Sequence, residues 1–329
     1  MVYQLNHAAY AILIAFAANI ILCPVIIPYL TKLKFGQNVR NDGPQTHIKK
    51  SGTPTMGGIM IILSLMLASL FFLKNNSDAL ILIFVTISFA IIGFFDDYIK
   101  VVKKRSLGLR AYQKIIAQLL VTTVFIYYMM NFSDDFFGSD STSIIIPFTD
   151  GLFINLGIFY IPFVYIVMIG TVNAVNLTDG LDGLATGVTA LVATFFLFAA
   201  WAAGSSSVPI MGAAVGSLLG FLLFNAYPAR VFMGDTGSLA LGGLIATVAI
   251  LLKMPLFIII VGIIYLVEAL SVIIQVFYFK LTGQRFFKMA PIHHSLEISG
   301  WSETKVVTYF YVITAIACLV GFLAAQYIF

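Results

Sequence analysis

The chain has 329 residues, 60% hydrophobic and only 10% charged, with a net charge of +4 and a mean hydropathy of +1.02. A soluble domain carries about 25% charged residues, so the composition excludes a water-soluble globular protein, and no nucleic-acid partner is expected. Cys23 and Cys318 both lie inside apolar runs and imply neither a disulfide framework nor a cysteine metal site.

Ten apolar runs follow one another, at about 8–30, 55–73, 79–95, 112–131, 152–171, 184–202, 208–225, 237–252, 255–279 and 306–328. Each is close to the ~17–25 residues that a spanning helix needs. The first is too long, and lacks the basic leader, for a simple cleaved signal, so it is expected to remain as a span. The ninth is long enough to tilt or break. No composition shift sets off a second unit, so residues 1–329 read as a single polytopic all-α membrane domain.

An even number of spans puts both termini on one side. Sixteen of the 18 Lys and Arg fall in the loops after spans one, three, seven and nine, leaving only Lys74 and Lys253 for the other side. Basic loops stay cytoplasmic, so both termini are expected outside. The outside loop 132–151 is acidic (Asp134, Asp135, Asp140, Asp150) and reads as solvated, with β-prone residues Ser143 to Phe148 suggesting a small β-hairpin.

The polar motifs cluster at span ends. Asp96 and Asp97 close span three; paired carboxylates there suit a divalent metal or a general base, or simply helical ion pairing with Lys100. The loop Asn173 to Gly183 holds Asn176, Asp179 and Asp182 among glycines. Capping accounts for one acid, whereas exposed backbone N–H groups at a helix start also bind anions. The loop Asn225 to Ser238 contains Phe232 and an Asp-Thr-Gly-Ser string at Asp235. An aspartic protease is rejected, because such enzymes pair two of these loops on a β-fold. His293 and His294 in the last loop suit phosphate binding or proton transfer better than a shared metal, or are an ordinary exposed pair. Glu268, within span nine, has Ser271 and Gln275 on the same face, and a structural brace between helices is favoured over a functional acid.

Together these groups place aspartates, lysines and histidines on one face. Hard oxygen donors suit Mg²⁺, and lysines, histidines and helix starts suit phosphate, so the sum points to phosphoryl transfer with a lipid substrate. A transporter would need several ionisable groups within its spans, and only Glu268 qualifies. The acids of an intramembrane aspartyl protease would face each other inside the bilayer, not at its edge.

Five strings in order carry a resemblance: Gly-Thr-Pro-Thr-Met-Gly-Gly at 52–58, Asp96-Asp97, Asn-Leu-Thr-Asp-Gly-Leu-Asp-Gly-Leu at 176–184, Phe-Met-Gly-Asp-Thr-Gly-Ser at 232–238 and Met-Ala-Pro-Ile-His-His at 289–294. Over nearly the whole chain the sequence resembles the phospho-N-acetylmuramoyl-pentapeptide transferases, within the polyprenyl-phosphate N-acetylhexosamine-1-phosphate transferase superfamily. The resemblance implies a Mg²⁺-dependent homodimer with ten spans and a cytoplasmic site. Undecaprenyl phosphate would attack the β-phosphate of UDP-N-acetylmuramoyl-pentapeptide, giving lipid I and UMP. The alternative donor within the superfamily is UDP-N-acetylglucosamine, for GlcNAc-1-phosphate transfer. By the same resemblance Asp235 would bind Mg²⁺. Asp96 and Asp97 would sit at the lipid phosphate, with Asp97 as base. Asn176 and Asp179 would lie by the diphosphate and metal, and Asp182 and Phe232 would hold the uracil. Lys50, Lys100, His293 and His294 would contact phosphate or sugar, and Asn225 is grouped with the substrate-binding residues. The family often has a third histidine where this chain has Ser295.

Overall fold

The computed structural model describes residues 2–32, 52–73, 76–103, 108–132 and 141–326. The chain is an all-α membrane protein with one small sheet. In order, the helices are α1 (Val2–Lys32), α2 (Gly58–Ser69, extended by a 3₁₀ turn at Leu70–Phe72), α3 (Ser77–Val102) and α4 (Ala111–Phe132). After strands β1 (Ser143–Ile145) and β2 (Phe153–Asn155) come α5 (Tyr160–Thr178), α6 (Leu184–Ala202), α7 (Val208–Asn225) and α8 (Gly234–Leu251). The last are α9 (Phe257–Val261), α10 (Ile263–Thr282), α11 (Ile292–Ile298) and α12 (Glu303–Ala324).

Among the described residues nine helices are long and apolar enough to cross a membrane, and Gly58–Phe72 is a shorter apolar helix. Contacts at the helix ends show that this short helix also runs from one end of the bundle to the other. At its start, Gly57 N–H donates to Phe232 O at 2.8 Å, beside the N-terminus of α8. Past its end, the Asn76 side chain donates to Ser206 O at 2.7 Å, in the turn between α6 and α7. Gln4 reaches Gly204 O in that same turn, and Phe148 N–H donates to Ala324 O. The beginning of α1 and the end of α12 therefore lie together, opposite the end where α2 and α8 start. Among the described residues, the nine spanning helices and this shorter one thus correspond to the ten apolar runs.

The ninth run is broken, as its length allowed: α9 ends at Val261 and α10 begins at Ile263, around Gly262. The hairpin forms, in the antiparallel register Ser143↔Asn155, Ile144↔Ile154 and Ile145↔Phe153. Its second strand lies past residue 151, in what the hydropathy reading gave to the fifth span, which begins at Gly157 instead. A short apolar run does not distinguish strand from helix by periodicity. The hairpin is anchored by Ile145 N–H donating to Lys253 O at 2.8 Å.

α6, α7 and α8 are the most enclosed helices, while α1, α4, α10 and α12 turn apolar faces outward. Leu13, Ile21 and Val25 of α1 and Ile273, Phe277 and Leu281 of α10 are exposed, as lipid-facing residues are. Hydrocarbon offers no partners, so polar groups must be satisfied internally. Asn19 Nδ2 does so between α1, α2 and α7, donating to Ser64 Oγ at 3.0 Å and Ser217 O at 2.9 Å. Small residues let helices approach closely: Gly58 of α2 abuts Gly237 of α8 so tightly that a side chain on Gly58 would strike the α8 backbone.

Candidate active site

The alternation of the helices brings the C-terminal ends of α3, α5 and α7 to the same end as the N-terminal ends of α4, α6 and α8. Asp96, Asp97 and Lys100 come from α3, Lys114 from α4, Asn176 from α5 and Asp235 from α8. They meet around a cavity of about 140 Å³ whose lining includes Asp97, Lys100, Asn176, Asp179, Gly180, Asp182, Phe232 and Asp235. Four of the five sequence motifs thus share one wall, and the fifth, with His293, stands behind Gly180.

Asp235 is the hub. Its Oδ2 receives Lys114 Nζ at 2.7 Å and Lys100 Nζ at 3.0 Å, and its Oδ1 accepts from Asn176 Nδ2 at 2.9 Å. Asn176 Nδ2 also donates to Ser238 Oγ at 2.8 Å. Lys100 continues to Asp96 Oδ2 at 2.6 Å, while Asp96 Oδ1 accepts the Leu109 N–H at 2.9 Å. The local ion pairing foreseen for Lys100 is therefore present, but as one edge of a network spanning three helices.

Asp97 is buried and serves the first turn of α8. Its Oδ1 accepts the N–H of Asp235 at 3.1 Å, and its Oδ2 accepts the N–H and hydroxyl of Thr236 at 2.9 and 2.7 Å. A helix start leaves such N–H groups unsatisfied and carries partial positive charge, so a carboxylate there is favourable. The Gly-Thr-Pro-Thr-Met-Gly-Gly string fastens the same loop from the other side: Phe232 N–H donates to Pro54 O, and Gly57 and Gly58 N–H donate to Phe232 O and Met233 O, each at 2.8 Å.

Carboxylate oxygens of Asp96, Asp97 and Asp235 lie within 4.8 Å of one another. Three hard oxygen donors at that spacing fit Mg²⁺ rather than a soft metal, and the two ammonium groups on Asp235 show that the cluster demands positive charge.

Asp179 follows α5 and lies at the cavity. Burial pushes its carboxyl well above the usual carboxylate range, with Asp235 and Asp97 adding repulsion in the same direction. Asp182 Oδ2 accepts the Ala229 N–H at 2.9 Å, tying the 179–183 loop to the loop after α7. Two residues of α12 hold that loop from behind: Glu303 accepts the Asp182 N–H at 2.7 Å, and the Tyr311 hydroxyl donates to Gly183 O at 2.6 Å. Asn225 is buried, with Oδ1 bonded by Thr186 and Nδ2 donating to Val231 O at 2.9 Å. Its amide is spent on shaping the loop that presents Phe232. Lys50 lies outside the described residues.

The two histidine rings lie against each other, their centroids 4.1 Å apart, but take different carboxylate partners. His294 is half-buried, with Nδ1 3.0 Å from Glu297 Oε2. His293 is fully buried, its Nδ1 3.0 Å from Glu268 Oε2, and its Nε2 occupies the space a side chain on Gly180 would need. Glu268 therefore joins two helices: its partner is a histidine of the short helix α11, in the segment that folds back onto α10.

Sequence reasoning also passed over Lys114, counted only as a basic loop residue. Its signal was present. An ammonium in the first turn of a helix opposes the helix dipole, which makes sense only with an anion such as Asp235 close by.

The family model described as glycosyl transferase family 4 matches residues 79–253, and the phospho-N-acetylmuramoyl-pentapeptide-transferase signature 1 matches residues 50–62. The phospho-N-acetylmuramoyl-pentapeptide-transferase of Clostridium botulinum (strain Alaska E43 / Type E3) is 54% identical over 316 residues, covering 95% of both chains. That of Acetivibrio thermocellus is 51% identical, over 98% of this chain and 97% of its own. That of Alkaliphilus oremlandii is 52% identical, over 98% and 99%.

Proposed function

Because this chain belongs to glycosyl transferase family 4 and, within it, to the phospho-N-acetylmuramoyl-pentapeptide-transferases, it is a membrane phosphosugar transferase, and we propose the following reaction. Undecaprenyl phosphate attacks the β-phosphorus of UDP-N-acetylmuramoyl-pentapeptide. A new P–O bond forms to the lipid phosphate, the bond from the β-phosphorus to the bridging oxygen breaks, and UMP leaves with that oxygen. The product is lipid I.

The observation that carries this reading is the convergence of three carboxylates and two lysines from three helices on one small cavity. Phosphoryl transfer is mostly positioning and charge stabilisation, and those are the functions such a cluster can perform. Asp235, with Asp96 and Asp97 beside it, would hold Mg²⁺, which supplies neutralisation of charge on the phosphate oxygens. The ammonium groups of Lys100 and Lys114 can serve phosphate as they now serve Asp235. Asp97 lines the cavity and acts as the base that keeps the lipid phosphate deprotonated; three of its four lone-pair directions are engaged. Asp96 sets the position of Lys100. Asp182 and Phe232 receive the uracil, and Asn176 and Asp179 flank the diphosphate.

The muramoyl-pentapeptide donor is preferred to UDP-N-acetylglucosamine because the signature at 50–62 and the relatives' names specify it. The basic residues gathered at the site's end argue for a cytoplasmic site in the cell membrane, where a soluble nucleotide arrives from one side and a lipid from the bilayer. Family membership extends the proposal to a homodimer. The test is incubation of purified protein with Mg²⁺, UDP-N-acetylmuramoyl-pentapeptide and undecaprenyl phosphate. UMP release is expected, and its absence would reject the reaction. Competition between the two UDP-sugars decides the donor.

A further inference from the structure

α4 carries Lys114 to the site, yet its first half is scarcely packed. Over residues 111–121 the one buried side chain is Gln118, while Tyr112, Ile116 and Leu120 are exposed. Buried apolar side chains begin only at Phe125 and Ile126, which cluster with Val164 and Met168 of α5. Hydrophobic burial therefore does not hold the site end of this helix.

A polar ladder to α5 does. Asn173 Nδ2 donates to Gln118 Oε1 at 2.8 Å, and Gln118 Nε2 returns a bond to Asn173 Oδ1 at 3.3 Å. Asn173 Nδ2 also donates to Ile169 O at 2.8 Å, one turn back in its own helix. One turn nearer the cavity, Lys114 Nζ stands 3.4 Å from Asn176 Oδ1 and 2.7 Å from Asp235 Oδ2. On the other side of Gln118, the Thr123 and Tyr165 hydroxyls meet at 2.7 Å. Neither amide of the Gln118–Asn173 pair lines the cavity, but Asn176 does.

Hydrogen bonds are directional, so two facing amides exchange both bonds only at one offset and rotation of their helices. Apolar contact is not directional, and a leucine at 118 would fix no such register. Bonds of this kind add only modestly to the stability of membrane helices. Their consequence here is placement: sliding α4 by one residue would carry Lys114 about 1.5 Å along the helix axis. We propose that Gln118 and Asn173 are positioning residues for phosphoryl transfer: their amide pair sets the register of α4 on α5 that brings the Lys114 ammonium to Asp235 and Asn176. This rests on the phosphosugar transfer reading for what Lys114 serves.

The test replaces both amides together, Gln118→Leu with Asn173→Leu, because losing both partners leaves no buried group unsatisfied and can be nearly neutral for stability. The purified full-length double variant is assayed for UMP release with Mg²⁺, UDP-N-acetylmuramoyl-pentapeptide and undecaprenyl phosphate, alongside thermal unfolding in the same detergent. Unfolding is expected to stay close to wild type. kcat should fall about 10–100-fold, the scale of an ångström-sized misplacement. KM for the UDP-sugar should not change, since Lys114 answers charge that develops in the transition state. A pair acting through Lys114 has nothing left to position in Lys114→Met, so in that background the two leucines should cost less than about twofold. Wild-type kcat in the folded double variant overturns the proposal. So does a loss confined to KM, or a loss that persists in full on Lys114→Met. If the double variant does not fold, Gln118→Met, unbranched and of similar length, carries the same comparison. A wild-type chain that releases no UMP rejects the reaction and the proposal with it, whereas an active wild type matched by the variant rejects the role of the pair alone.

Discussion

Lys114→Met removes the ammonium that approaches Asp235 most closely while keeping the aliphatic stem. Lys114 Nζ lies 2.7 Å from Asp235 Oδ2 and 3.4 Å from Asn176 Oδ1, with the two charged side chains 16% and 14% exposed. Stripping a buried pair of one partner typically costs about 3–5 kcal/mol. Here Asp235 keeps Lys100 at 3.0 Å and the amide of Asn176 at 2.9 Å. The loss should therefore fall to that of one charge-assisted hydrogen bond, about 1.5–3 kcal/mol, which leaves the protein folded. Catalysis should suffer more. A cation aimed at charge developing in the transition state is worth about 10²–10³ in kcat, or about 2.7–4 kcal/mol. The assay is UMP release under saturating substrates, alongside thermal unfolding in the same detergent. A variant that folds and retains more than half the wild-type kcat would show that Lys114 only neutralises Asp235, and the role given to it here would be wrong.

Asp235→Asn should abolish UMP release without unfolding the protein, since the amide still fits between Lys100, Lys114 and Asn176; full activity would refute the metal assignment. Both oxygens of Asp97 serve α8, and those of Asp96 serve Leu109 and Lys100, contacts that attack on phosphorus by either carboxylate would disturb. Direct attack by the lipid phosphate is expected, and labelled UMP should not exchange into the UDP-sugar without lipid; exchange would establish a covalent route. Asp179 has its folded-state pKa raised by burial, so the folded state binds more protons than the unfolded one above the ordinary carboxylate value of about 3.9. Stability contributed by its protonated form is complete below that value and declines as pH rises towards the folded pKa. Asp179→Asn should flatten this decline in a melting-temperature series from acid to alkaline pH, and an unchanged slope would remove Asp179 as its source.

The spans were legible because about 20 apolar residues are needed to cross hydrocarbon whatever surrounds them. The break at Gly262 showed only as excess length. The hairpin was half legible: Ser143 to Ile145 stood out in a polar loop, whereas Phe153 to Asn155 ran into the apolar stretch of α5 and took its period from the neighbour. At the site, the candidate acids could be read individually, since acids are costly near a bilayer. Their division of labour could not. That Asp97 receives the start of α8 while Asp235 receives two lysines depends on how α3 crosses α8, where the close packing of Gly93 against the Asp235 carbonyl sets the offset. The partner of Glu268 was not legible for a similar reason. Periodicity puts Glu268 on a face with Ser271 and Gln275, but not what that face meets.

The same geometry explains why the motifs are short strings at helix ends. α8 begins at the cavity with Asp235 in its first turn, and an acid at a helix start is held by the unpaired N–H groups and the dipole. Those groups are already taken, by Asp97 from α3. Asp235 is left with its charge facing the cavity, and two lysines answer it in place of the helix. Had Asp97 been absent, Asp235 could have folded back to cap α8 and withdrawn from the cluster. Asp97→Ala should therefore impair the site twice, by removing a cavity carboxylate and by letting Asp235 turn to its own helix, and its loss of activity should exceed that of Asp97→Asn, whose side-chain oxygen still accepts from Thr236. Equal losses in the two variants would mean that Asp97 contributes its charge alone.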